Sequence, residues 1–257
     1  GNANAQGGLG LMYSNGQGVD QDNAEAVRWY RLAATQGNAT AQHNLGLMYL
    51  NGRGVPQDVA EADRLVGLAA NPGNFAPAQF FLGMMSFDGR RVPQDFAEAI
   101  RWHRLAADQG FASAQYALGV MYGNGQGLAR NDVEAVRWYR RAADQGLPSA
   151  QFTLAVMYDN GQGIPRDDVE AVRWYRLAAD QGLPSAQFNL AVMYHEGKGI
   201  PQDYTEAVRW YRLAADQAHA PAQFSIALMY EEGQGVAQDY VEAHMWFNLA
   251  AAHSSDE

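Results

Sequence analysis

One interval governs this chain: the pair Ala-Gln, followed by an apolar run, returns about every 36 residues. Its Gln falls at 6, 42, 79, 115, 151, 187 and 223, so the steps are 36, 37, 36, 36, 36 and 36. Seven such units, near 1–36, 37–73, 74–109, 110–145, 146–181, 182–217 and 218–257, account for nearly the whole chain. No linker, low-complexity tract or composition shift interrupts the series, so residues 1–257 are expected to form a single array. A unit this short cannot bury its own apolar face, and its neighbours must supply the missing interior.

Each unit reads as two helices. In the fifth, Leu154, Met157 and Tyr158 lie at i, i+3 and i+4, and Gly161 and Gly163 follow where a helix C-cap needs the left-handed conformation. The second helix opens on Asp or Asn with Glu three residues later: Asp22/Glu25, Asp58/Glu61, Asp95/Glu98, Asn131/Glu134, Asp167/Glu170, Asp203/Glu206 and Asp239/Glu242. That is the spacing of a capping box, in which the first side chain accepts from an orphan N–H and the Glu reaches back to the cap's own N–H. Much of the acidic excess (28 Asp and Glu against 18 Lys and Arg) is therefore helix-start chemistry. Ala26, Trp29, Tyr30 and Ala33 share one stripe of the second helix, which only the next copy can cover. The expected fold is all-α, an α/α superhelical solenoid of about seven helix-turn-helix repeats.

The pattern, read in the fifth unit as Ala150-Gln151 to Met157-Tyr158, Gly161-Gln162-Gly163, Glu170-Ala171 and Arg173-Trp174-Tyr175, resembles the Sel1-like repeat family, a relative of the tetratricopeptide repeats. The resemblance covers the whole chain. It implies a right-handed superhelix whose first helices line a concave face, and a scaffold or adaptor role. It also points to bacterial envelope or signalling assemblies, hence to the periplasm or a secreted state, although the compartment is not readable from the residues. The second and third copies depart from the pattern. Leu65 and Val66 replace Trp-Tyr, Gly67 replaces Arg, Asn71-Pro72-Gly73-Asn74 accompanies the extra residue, and Ser86, Arg91 and His103 replace Tyr, Gly and Tyr. Irregular stacking is expected between Leu65 and Arg91.

Several chemistries are looked for and not found. The chain has no Cys, and Lys198 is its one lysine, so thiolate sites are excluded and Schiff-base chemistry would rest on a single residue in an exposed turn. Loops such as Gly125-Gln126-Gly127 and Gly197-Lys198-Gly199 lack the phosphate-loop context and read as cap punctuation. A Ser-x-x-Lys nucleophile of the β-lactam-binding kind would need serine at 195, which is His. The six histidines are scattered and read as surface residues, so no metal or cofactor is expected. A net charge of −10 argues against nucleic acid, no apolar run is long enough for membrane insertion, and no signal peptide is read at the start. The Arg pairs of the second helices (Arg28/Arg31 and its successors) read as an exposed face compensated by Glu, rather than a track for an anionic polymer.

A protein or peptide partner is the expected ligand. Gln at position 2 of every unit suggests a repeated buried hydrogen bond between neighbours. Positions 4 and 11 vary on one face, and they supply the candidate partner-binding residues Asn44, Phe81, Asn124, Thr153, Asn160, Asn189, Glu196 and Ser225. Phe80, Phe81 and Phe87 form a candidate aromatic patch, with space-filling beside Leu65 and Val66 as its plainer reading. The competing function is an enzyme, or a small-ligand or glycan binder, seated at the junction of the second and third repeats. Because the first residues lie in repeat register, end-to-end self-association or truncation from a longer protein is also expected. Replacing one stripe indole, Trp174→Ala, is expected to cost about 3–5 kcal/mol in chemical denaturation.

Overall fold

The structure, a computed structural model, describes residues 1–89 and 92–253, and Arg91 lies outside the described residues. Among the described residues there are fourteen helices and no strand. In chain order they are α1 (Ala3–Asn15), α2 (Asn23–Ala34), α3 (Ala39–Asn51), α4 (Val59–Ala70), α5 (Ala76–Asp88), α6 (Phe96–Asp108) and α7 (Ala112–Asn124). They continue with α8 (Asp132–Asp144), α9 (Pro148–Asn160), α10 (Asp168–Asp180), α11 (Pro184–Glu196), α12 (Tyr204–Ala215), α13 (Ala220–Glu232) and α14 (Tyr240–His253). The fold is therefore all-α, a helix-pair solenoid of seven repeats. Two compact units divide the chain, one of residues 1–118 with 126–128, the other of 119–125 with the residues from 129 onward.

First helices begin two residues ahead of the Ala-Gln pair. In α9 and α11 the first helical residue is Pro148 or Pro184, whose fixed φ suits a position where no N–H is needed. The second helices open on the expected side chain: Asp167 Oδ1 accepts from the N–H groups of Val169 and Glu170, and Asp22 and Asp203 do the same. The other half of the capping box does not form. The cap's own N–H goes to the preceding helix instead, as in Asp167 to Tyr158 O and Asp203 to Tyr194 O at 3.0 Å, which closes the hairpin. With that donor taken, the Glu of the first six repeats turns outward to the Arg three residues on, as in Glu61–Arg64 at 2.7 Å and Glu170–Arg173 at 3.0 Å.

The two loop glycines have different tasks. The first ends the helix with positive φ, +66° at Gly161. The second is also left-handed, but it lies against the start of the preceding repeat's second helix. A Cβ on Gly163 would stand 2.4 Å from Asp132 O, on Gly199 2.2 Å from Asp168 O, and on Gly54 2.3 Å from Asn23 O. Only a residue without a side chain lets these backbones approach.

Within each unit, stacking follows one scheme. Trp174, Tyr175 and Ala178 are buried as the stripe requires, with Ala178 at 0 % exposure. Each Gln of position 2 donates across the repeat boundary to the last turn of the preceding second helix: Gln42 to Ala34 O, Gln79 to Ala70 O, Gln151 to Ala143 O and Gln187 to Ala179 O, at 3.2–3.3 Å. At Gln79 and Gln151 the amide oxygen also accepts from the Gln that ends the same repeat, Gln109 and Gln181, at 2.7 and 2.8 Å. On the other edge, Arg31 donates to Tyr49 Oη at 2.6 Å, and Arg140, Arg176 and Arg212 reach Tyr158, Tyr194 and Tyr230 in the same way.

The junction expected to be irregular keeps the glutamine bond but packs over a smaller contact than α2/α3, α8/α9, α10/α11 and α12/α13, with a cis Asn71-Pro72 bond in its loop. Gln79 still bonds Ala70 O, and the substitutions match in pairs across the boundary. The Arg31–Tyr49 pair becomes Gly67 and Ser86, while the Tyr30–Asn44 pair becomes Val66 packed on Phe81. Larger polar side chains have been exchanged for smaller or apolar ones while the Gln79–Ala70 bond is kept.

The two glycine roles separate on substitution. Gly161→Ala is expected to cost about 1–2 kcal/mol, the ordinary left-handed penalty. Gly163→Ala should cost about 2–4 kcal/mol, because the methyl group also pushes the repeats apart at the Asp132 carbonyl. Urea unfolding of the two single variants measures the difference.

Candidate functional site

The candidate row stands on the first helices, over tyrosine hydroxyls rising from the second. In the second unit, Asn189 and Ser225 (position 4 of α11 and α13) bond the hydroxyls of Tyr175 and Tyr211 in the preceding repeat. Burial pushes the Tyr211 hydroxyl up to about 12, and Ser225 partly offsets it. Burial and then the Asp159 carboxylate push Tyr175 higher still, although its bond to Asn189 opposes them. Both hydroxyls are therefore neutral donors at physiological pH. Tyr175 Oη lies 3.4 Å from Asp159, which is also ion-paired to Lys198 in the loop of the following repeat. His195 meets Gln234 of the next loop at 3.4 Å.

Thr153 is half-buried and spends its hydroxyl on Ser149 O at 2.8 Å, whereas Asn124, Asn160 and Glu196 are exposed. Position 4 thus lines the floor of the row, and position 11 supplies its outer polar groups. In the first unit, Asn44 is half-buried with Nδ2 3.4 Å from Tyr30 Oη. Phe81 and Phe87 are half-buried. The Phe81 ring lies edge-on to His43 at 6.2 Å, Phe87 meets Phe96 at 5.5 Å, and Phe80 touches His103 and Phe111, both at 5.4 Å.

Sequence reasoning missed the tyrosine hydroxyls, Asp159 and the engagement of Lys198. The lysine is not in an open turn: its side chain is 26 % exposed and held by Asp159. The histidines need a larger correction. His43 and His103 are buried, because they occupy positions that other repeats give to the aromatic core residues Phe152 and Tyr175. His219 caps α13 by accepting from Ala222 N–H at 3.3 Å.

No cluster of three or more potential metal ligands occurs among the described residues. The carboxylates with a resolved shift (Glu61, Glu98, Asp132 and Asp168) are all held low, first by a hydrogen bond from Arg64, Arg101, Arg130 or Arg166. None is raised as a general acid requires. The Arg ladder is likewise engaged. Arg173 pairs with Glu170 while its guanidinium covers the Trp174 ring at 4.2 Å. No described helix is long and apolar enough to cross a membrane.

Burial lowers His43 and His103 to about 4 from the ordinary 6.5. Protonation is then favoured in the unfolded chain, so stability is full above pH 6.5 and is lost as pH falls toward 4. The loss should approach about 3 kcal/mol per residue. The His43→Phe/His103→Phe variant, which carries Phe as Phe152 and Phe247 do at these positions, should be less sensitive over pH 4–6.5. Denaturation midpoints against pH check this.

The comparisons agree with this architecture. The Sel1 repeat profile matches residues 3–38, 39–71, 76–111, 112–147, 148–183, 184–219 and 220–255. A structure of c5321, a protective antigen with an SLR fold from uropathogenic Escherichia coli, is similar over 98 % of this chain, with 39 % identity and a TM-score of 0.90. This chain spans only 54 % of that protein's length. A Sel1 repeat protein from Oxalobacter formigenes is 36 % identical over 98 % of this chain and 72 % of its own, with a TM-score of 0.77. The immunity protein Pa5087 of Pseudomonas aeruginosa shares the fold at 18 % identity and a TM-score of 0.51, over 99 % of this chain and 83 % of its own. Among curated proteins none matches. With seven tandem matches laid over seven helix pairs, the chain belongs to the Sel1 repeat family.

Proposed function

We propose that this chain is a non-enzymatic adaptor that binds a partner polypeptide along the first-helix row, the face that the family resemblance makes concave. The observation that carries the reading is the composition of that row in the second unit. Asn189 and Ser225 sit half-buried over neutral tyrosine hydroxyls, while Asn160 and Glu196 stand exposed beside them. Amide and hydroxyl groups spaced along parallel helices can bond a peptide backbone without demanding one sequence. In the first unit, Asn44 and Phe81 are the corresponding contacts, with Phe80 and Phe87 as apolar support. Residues 1–257 are taken as one array in this reading, working without cofactor or nucleic acid in a bacterial envelope or secreted setting.

The catalytic or glycan-binding alternative has less support. At the junction of the second and third repeats the seam is apolar, with Val66 against Phe81, and the carboxylates with resolved shifts are held low by arginine. Repeats of this kind commonly mediate protein–protein interaction.

The triple variant Thr153→Ala/Asn160→Ala/Asn189→Ala tests the row. Affinity capture with the whole chain identifies a partner, and calorimetry then compares its affinity for the two proteins. A loss of about tenfold or more is expected, since a few central contacts carry most binding energy. Unchanged affinity would remove the row from the interface.

A further inference from the structure

Two of the departures in the second repeat are matched by changes in the third, but a third departure has no counterpart. Leu65 stands where the other six repeats carry Trp29, Trp102, Trp138, Trp174, Trp210 and Trp246. A cleft of about 530 Å³ opens beside it between α2, α3 and α4, with Ala34, Gln42, Leu45, Leu65 and Leu68 among its walls. Arg31, Tyr49, Glu61 and Arg64 line it as well.

The corresponding cleft at the last repeat is as large, about 580 Å³ with Trp246 in its wall, and differs in its floor. There Arg212, Tyr230, Glu242 and Trp246 line the space, and the equivalents of Ala34, Gln42 and Leu45 (Ala215, Gln223 and Ile226) do not. The uncovered floor is visible in the burial. Ala34 is 8 % exposed, against 1–2 % for Ala70, Ala107, Ala143, Ala179 and Ala215. Gln42 is 8 % exposed, against 2–5 % for the other buried glutamines of that position. Gln42 has also lost its usual donor. Gln79, Gln151 and Gln187 accept from Gln109, Gln181 and Gln217, but the aligned residue for Gln42 is Pro72, which has no side-chain N–H. Its Oε1 has no donor among the described residues.

The cleft therefore offers the partly exposed Leu68 beside the edges of Leu45 and Leu65, an acceptor with no donor, and a cation. Glu61 is bonded to Arg64 and also feels the Arg31 charge, but among the described residues no carboxylate lies in ion-pair contact with Arg31, which donates to Tyr49 Oη. We infer that this cleft receives a tryptophan side chain of a partner polypeptide. Its ring would lie on Leu68 and reach the exposed edges of Leu65 and Leu45, its N–H would face Gln42 Oε1, and an acidic neighbour in the partner would face Arg31. Aromatic anchors in desolvated pockets are the usual centres of such interfaces. The site lies apart from the first-helix row, so it neither needs nor excludes the function proposed above.

The probe is the peptide Ac-Glu-Trp-Glu-NH2, titrated into the full chain by calorimetry with methyl resonances followed in parallel. Ac-Glu-Ala-Glu-NH2, the 1-methyltryptophan peptide and indole-3-propionate serve as comparisons. The Trp peptide should bind at least about tenfold tighter than the Ala peptide. It should shift the Leu45 and Leu65 methyl signals and weaken several-fold on N-methylation or in Arg31→Gln. Leu65→Trp fills the cleft from within and should abolish binding, while Thr153→Ala/Asn160→Ala/Asn189→Ala leaves it unchanged. Equal binding of the Trp and Ala peptides, or shifts confined to methyl groups outside the cleft, would overturn the assignment. These wild-type readings hold even if Leu65→Trp fails to fold. Equal affinity for indole-3-propionate would give the cleft to a small aryl acid and overturn the polypeptide assignment.

Discussion

A glutamine side chain that crosses from one repeat to the next is the contact on which the rest depends. A helix ends with carbonyls that have no partner inside it, and in a stack these ends are buried. Ala143 O and Ala179 O would be stranded if Gln151 and Gln187 did not donate to them. Such a bond contributes about 1 kcal/mol net, while leaving the buried carbonyl unpaired costs about 1–3 kcal/mol. The amide also accepts from the Gln ending its own repeat, so one side chain links three helices. That relay fixes the distance between repeats within which the Trp, Tyr and Ala stripe can pack.

The second and third repeats show how much variation such a stack accepts. Pairs across the boundary were exchanged together: arginine and tyrosine for the small Gly67 and Ser86, tyrosine and asparagine for the apolar Val66 and Phe81. A single exchange would have left a buried hydroxyl or guanidinium without its partner, at a cost of kcal/mol rather than tenths. The unmatched exchange, Leu65 for Trp, leaves Ala34 and Gln42 slightly uncovered and strands no charged group. It is the milder defect, and it uncovers the floor of a cleft that the last repeat also has.

Charge in this protein is mostly turned toward itself. Glu residues of the second helices hold arginines three positions on, and those guanidiniums cover the outer faces of tryptophans, as Arg101 does over Trp102 at 4.3 Å. Exposed pairs of this kind stabilise little individually. Their consequence is that arginines and glutamates which look available in the sequence are engaged at the surface. The uncharged amides and hydroxyls of the first helices stand outside these Glu–Arg pairs, with exposed Glu196 among them.

The sequence by itself determined the repeat length, the helix pairs, the Asp or Asn that opens each second helix, and the buried glutamine. These follow from spacing and from side chains acting within a few residues of their own position. It misplaced the Glu of the capping box, the second loop glycine and the two core histidines. Each of these answers to an atom in another helix or repeat: the Tyr158 carbonyl that takes the Asp167 N–H, the Asp132 backbone under Gly163, the core positions filled by His43 and His103. Tertiary structure alone decided those roles. Which residue has a partner is settled by the distance between side chains many residues apart, and a one-dimensional pattern carries the identity of the groups but not their separation.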